Sequence, residues 1–178
     1  MSKEDFSQYG KDFQELLCHL ILVDRPFADQ IFEVLDINFL ELKYLQVFIK
    51  LVQNYREKYA VHPTENILKS ILRSELDNEL DAVQQQVRGF YARISRSPIE
   101  DADYVKSTSL DFCRKQNLKA AMLKSVKLLE GHSFDEISKV INDAIKLGSD
   151  SNFGHDYLAD FEQRFLLKAR DPVATGWA

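Results

Sequence analysis

The chain is expected to be all-α, a helical bundle followed by an αα-hairpin and a detached C-terminal linker helix. Three observations predict this. Only six Gly and four Pro occur in 178 residues, so the turn formers that a sheet of short strands needs are scarce. Apolar residues recur at three- and four-residue steps along most of the chain, the period of a helix face rather than of a strand. The breaks between these stretches carry helix-capping chemistry, with Asp24 ahead of Pro26 and Thr64 after Pro63. The length suits one domain with an appendage.

Phe13, Leu16, Leu17, Leu20 and Ile21 form the stripe of a first helix, which Asp24 and Pro26 close while opening the next. That second helix is short, with Phe27, Ile31, Val34 and Leu35 on its apolar side, and ends near residues 36–38. Residues 39–59 carry two stripes. Leu40, Tyr44, Val47, Phe48, Leu51 and Tyr55 make one, and Leu45, Ile49 and Val52 the other, so this helix is expected at the centre of the bundle. Thr64 then caps a helix bearing Ile67, Leu68, Ile71 and Leu72. A further helix is predicted over 75–95 with Leu76, Leu80, Val83, Val87, Phe90 and Ile94 facing inward, stopping ahead of Pro98. These five pieces make a globular unit over residues 1–97.

Residues 98–147 change character and read as a helical hairpin of the same domain. One long helix is predicted over 101–130, Gly131 and His132 make the turn, and Ser133 with Glu136 forms a capping box for the return helix. Leu118, Met122, Ser125 and Leu129 can face Phe134, Ile137, Ile141 and Ala144. Hydrophobes are thin around residues 106–109, so the hairpin is expected to lean on something outside itself. Leu118, Met122, Leu129, Phe134, Ile137 and Ile141 are accordingly candidates for assembly. Residues 148–178 follow as a linker: a small, polar joint over 148–152 and then a short helix whose stripe is Tyr157, Leu158, Phe161 and Phe165. Nothing after that stripe in sequence can cover it, which makes these four the candidate inter-subunit docking residues.

Composition and motifs exclude several chemistries. The formal net charge of −5 argues against a chain that binds nucleic acid through an overall positive field. No glycine pair has the spacing of a phosphate-cradling loop, and His19, His62, His132 and His155 fall in separate elements without the spacing of a zinc or hydrolytic site. No catalytic residue, cofactor or metal ligand is therefore assigned. His19 is expected at the edge of a helix face, and Cys18 and Cys113 as buried, reduced thiols. The first residues lack the apolar segment of a signal peptide and no stretch is long enough to span a bilayer, so a cytoplasmic protein with no membrane partner is expected. Arg88, Arg93 and Arg96 are interleaved with Phe90 and Tyr91 and could meet phosphates or an acidic partner. The better reading is that cations in the last turns of a helix complement its dipole and stay solvated.

The order of elements resembles the N-terminal domain of DnaB-type replicative DNA helicases. The residues that carry the likeness are the Asp24-Arg25-Pro26 helix end, the run from Val34 to Leu40, the central helix ending Tyr55-Arg56-Glu57-Lys58-Tyr59, and Pro63-Thr64. Gly154-His155-Asp156-Tyr157 with Asp160-Phe161 and Arg164-Phe165 is similar to the linker of the T-even-phage branch of that family. The resemblance implies a parent ring helicase of the SF4 type, expected as a hexamer, that hydrolyses ATP or another NTP with Mg²⁺ to move on single-stranded DNA. It implies a collar built through the hairpins, a linker helix on the neighbouring motor, and contact with primase. The Walker A lysine, Walker B acid and arginine finger would then lie beyond Ala178, and this chain alone is expected to hydrolyse nothing. The alternative is a stand-alone all-α adaptor, such as a helicase loader or replication regulator, and a third is an enzyme with an unrecognised all-α site.

Overall fold

A computed structural model describes residues 4–149, and every regular element among them is helical. Seven α-helices follow one another: α1 (Gly10–Val23), α2 (Arg25–Val34), α3 (Lys43–Tyr59), α4 (Glu65–Ser74), α5 (Asp81–Ile94), α6 (Ala102–Glu130) and α7 (Phe134–Ser149). Short 3-10 turns at Phe6–Tyr9, Ile37–Phe39 and Leu76–Asn78 join them. None of these helices is long and apolar enough to cross a membrane.

The caps expected at Asp24 and Thr64 are formed. Asp24 accepts a hydrogen bond from the Phe27 amide at 3.0 Å, with Pro26 in the first turn of α2, and Thr64 accepts from the Ile67 amide at 3.4 Å. Helix α3 stops at Ala60, which takes the left-handed conformation at φ 55 and ψ 22. An L-residue with a Cβ is strained there by roughly 1–2 kcal/mol. Glycine relieves that strain but adds freedom to the unfolded chain, so Ala60→Gly should gain about 0.5–1 kcal/mol net. The expected reading is a thermal midpoint higher by about 2–4 °C. A midpoint that falls would show that Ala60 contributes packing instead.

Helix α3, expected at the centre, is buried through Tyr44, Leu45, Val47, Phe48, Ile49, Leu51 and Val52 and packs on α1 and α5, whereas α1, packed on α2, α3 and α6, has more helix neighbours. Two boundaries differ from expectation. Helix α3 begins at Lys43, because residues 36–42 are held by other bonds: Asp36 accepts from the Asn38 amide, Gln14 Oε1 accepts from the Glu41 amide at 2.8 Å, and Gln46 donates to the Leu40 carbonyl at 2.6 Å. The single helix expected over 75–95 is a 3-10 turn and then α5, with a break at Glu79 and Leu80 where Gln84 donates to the Glu79 carbonyl. Leu80, expected inside, is 77% exposed, whereas Leu76 is fully buried. Ile67 likewise lies at 38% exposure rather than on the covered stripe of α4.

The core does not end at residue 97. Val105, Phe112 and Cys113 of α6 belong to it, and α6 packs on α1 and α2. The thin stretch around residues 106–109 thus leans on the chain's own bundle: Lys106 pairs with Asp24 at 2.5 Å, and Ser109 is buried with its hydroxyl bonded to the Lys106 carbonyl. At the N-terminus Phe6 is completely buried between Phe13, Phe39 and Phe112, and Glu4 accepts from Gln116 and Lys119. Cys18 and Cys113 are free thiols, both buried, and burial pushes the Cys113 thiol up to about 12.

His62 clasps the segment between α3 and α4 to the end of α1. Its Nε2–H donates to the Leu22 carbonyl at 2.7 Å, which leaves Nδ1 to accept from Arg56 at 2.8 Å, and Arg56 in turn pairs with Asp29. Burial lowers the pKa of both His62 and His19 below the ordinary imidazole value of 6.5. The unfolded chain then binds more protons than the folded one, so stability is lost as pH falls from about 6.5 through the folded values. Urea midpoints measured at about pH 7.5 and pH 5 should therefore differ, with the lower at pH 5. Equal midpoints would mean that neither imidazole changes its proton affinity on folding.

Candidate functional site

Among the described residues, exposed large apolar side chains are concentrated at the distal end of the hairpin. Helix α6 has low amphipathic character because its first part covers the bundle and its last part pairs with α7, so different sides are apolar along its length. The turn between the helices is a Schellman motif: the Ser133 amide bonds to the Leu128 carbonyl at 3.3 Å and the His132 amide to that of Leu129 at 3.1 Å. Its left-handed position falls on His132, at φ 59, and not on Gly131. The reciprocal side-chain bonds expected of Ser133 and Glu136 are not made. Helix α7 instead starts with Asp135 and Glu136 in its first turn and ends with Lys146 in its last, charges that suit its dipole.

Burial locates the seam between the two helices. Along α6 the covered or half-covered positions are Leu118, Ala121, Ser125 and Leu128, and along α7 they are Ile137, Val140, Ile141 and Ala144. Ser125 satisfies its hydroxyl on the Ala121 carbonyl, so a polar residue fits the seam. The expected seam ran through Met122 and Leu129 and met Phe134. Those three are 53%, 55% and 63% exposed and lie outside it: Leu118 and Ser125 stay in the α6 seam, while Ala121 and Leu128 take the places expected of Met122 and Leu129. Leu118, Ile137 and Ile141 do lie in the seam.

Met122, Val126 and Leu129 follow at steps of four and three, one face of α6, with Val126 61% exposed. Leu123 is exposed beside them, and α7 exposes Phe134, Ile145 and Leu147. Of these, Leu123, Val126, Ile145 and Leu147 escape a reading by seam positions alone. The signal that could have found them is the excess of large apolar side chains in both helices over what a two-helix contact can cover. The hairpin's root is fixed: Asn117 donates to the Val34 carbonyl at the end of α2 at 2.9 Å, Lys119 pairs with Glu4 at 2.8 Å, and α7 touches α2. A groove of about 450 Å³ runs between α2 and the hairpin, lined by Glu33, Asp36, Lys124, Asp143, Ala144 and Leu147 among others.

The other candidates are not brought to this surface. Arg93 is engaged with Glu15 at 2.6 Å, and Glu15 also accepts from the Tyr44 hydroxyl, so this guanidinium is part of the bundle's own network. Arg88 and Arg96 are exposed on and just after α5. His19, expected at a helix edge, is 6% exposed. Tyr157, Leu158, Phe161 and Phe165 lie outside the described residues. Among the described residues no group of three His, Cys, Asp or Glu side chains is arranged to hold a metal ion. Neither a scan of protein-family models nor a search of curated proteins gives a match for this chain.

Proposed function

We propose that this chain is an assembly module, the N-terminal collar and linker of a DnaB-type replicative DNA helicase of the T-even-phage-like branch. The observation that carries the reading is the hairpin: its root is bonded into the bundle, while its distal half offers large apolar side chains that the chain's own described residues leave uncovered. A rigidly held pair of helices with an open apolar side is suited to packing on an equivalent pair, because the same surface on both copies is self-complementary about a two-fold axis. On this reading the chain performs no chemistry itself. NTP hydrolysis with Mg²⁺ and movement on single-stranded DNA belong to the parent's motor domain, and the assembled collar is the surface offered to primase.

Two measurements test the proposal. Sedimentation velocity of the chain at high micromolar concentration should show self-association, and a strictly monomeric boundary would overturn the collar. In a parent that includes the motor, Phe161→Asp together with Phe165→Asp should leave the bundle folded and weaken hexamer formation. Unchanged hexamers would remove the docking role of the linker.

A further inference from the structure

Away from the hairpin, a second feature is independent of the assembly reading. A cleft of about 300 Å³ opens between the end of α1, the start of α4, the end of α5 and the segment after it. Leu22, Val23, Ile94 and Ile99 supply its aliphatic walls, and His19 and Tyr91 line it as well. These two rings are 6% and 9% exposed. The Tyr91 hydroxyl is buried and has no hydrogen-bond partner among the described residues. Leaving a buried hydroxyl unpaired is costly, which is why nearly all such groups in folded proteins are bonded and an exception calls for a reason.

The chemistry of the lining limits what fits. Burial lowers the pKa of His19, so at neutral pH its ring is uncharged and offers one donor and one acceptor. Glu65, the acidic residue of the lining, is paired with Lys69 at 2.6 Å, which leaves no net charge to attract an ion. A volume of this size is at the small end of ligand pockets and suits one compact molecule with an apolar body. A hydroxyl group both donates and accepts, so it can meet a phenol and a neutral imidazole without a protonation change.

We propose that this cleft binds a small, neutral, apolar molecule carrying a single hydroxyl group, with Tyr91 and His19 as the polar contacts. The probe is p-cresol, with toluene as the match that lacks the hydroxyl, each titrated into the full chain and followed by amide chemical shifts. p-Cresol should move the resonances of His19, Tyr91, Ile94 and Ser95 and bind about tenfold tighter than toluene, the worth of one hydrogen bond made to an otherwise unpaired group. Tyr91→Phe removes an unpaired hydroxyl, so the variant should fold with an unchanged or higher thermal midpoint and hold p-cresol about tenfold more weakly. Equal affinity for the two probes, no shifts at these residues, or a full p-cresol preference in Tyr91→Phe would each overturn the site.

Discussion

Replacing Phe6 by alanine should cost about 3–5 kcal/mol of folding stability, the range for emptying a well-packed aromatic site. The size of the effect follows from position. Phe6 lies in a four-residue 3-10 turn capped by Asp5, which accepts from the Ser7 amide at 3.0 Å, and tethered ahead of that by Glu4 to Gln116 and Lys119. Such a turn has little stability of its own, so its order comes from the ring together with the Glu4 tether. That ring is fully buried, 4.6 Å from the centroid of Phe112, 5.9 Å from Phe13 and 6.3 Å from Phe39. It thereby joins the N-terminus, α1, the turn before α3, and α6. Urea denaturation measures the cost as a lower midpoint at unchanged slope. A double-mutant cycle with Phe112→Ala should return a coupling of about 0.5–1.5 kcal/mol, because the two rings touch directly. A cost below about 1 kcal/mol would show that the first turn is not part of the cooperative core.

Phe6 also shows where the sequence was readable and where it was not. Its spacing to Tyr9 and Phe13 is three and four, a helical signal, yet Gly10 between them reads as a break and hides the continuation. The chain passes Gly10 at φ 83, a conformation that glycine tolerates, and the stripe resumes in α1. Where local chemistry decides, the elements are legible: Asp24 with Pro26, Thr64, and the turn at Gly131 and His132 all mark the boundaries they should. Where distant partners decide, they are not. Residues 39–42 carry an apolar pattern fit for a helix, but Phe39 ends a 3-10 turn, Leu40 and Leu42 are extended, and Gln14, from another helix, takes the Glu41 amide between them. Leu76 and Leu80 are equally apolar and one turn apart, and only the depth of the bundle under each distinguishes a buried from an exposed leucine.

The hairpin is the same problem in its sharpest form. With apolar residues at 118, 121, 122, 123, 126, 128 and 129, α6 offers several stripes, and the one that becomes the seam is chosen by how α7 lies against it. Sequence periodicity located the two helices and their turn. It placed Leu118 and Ser125 in the contact, as burial does, but took Met122 and Leu129 for the one-residue neighbours that α7 covers, Ala121 and Leu128.

That one-residue shift sets the second large effect. Val126→Asp should leave the monomer within about 0.5 kcal/mol of its original stability, because the side chain is 61% exposed and neither valine nor aspartate is a strong helix former. In a self-associated state that covers this face, the carboxylate would be buried without a partner, at about 3–5 kcal/mol. About a two-fold axis each substitution is present on both sides, so the dissociation constant should rise by at least about a thousandfold. Light scattering or sedimentation across a concentration series reads this directly, as a monomer where the unaltered chain associates. Val105→Asp supplies the contrast on the same helix. Val105 is 2% exposed and part of the bundle core, so the same change there should unfold the chain instead of dispersing it. If Val126→Asp associates as strongly as the parent sequence, the exposed side of α6 is not the contact, and the collar built on the hairpin falls with it.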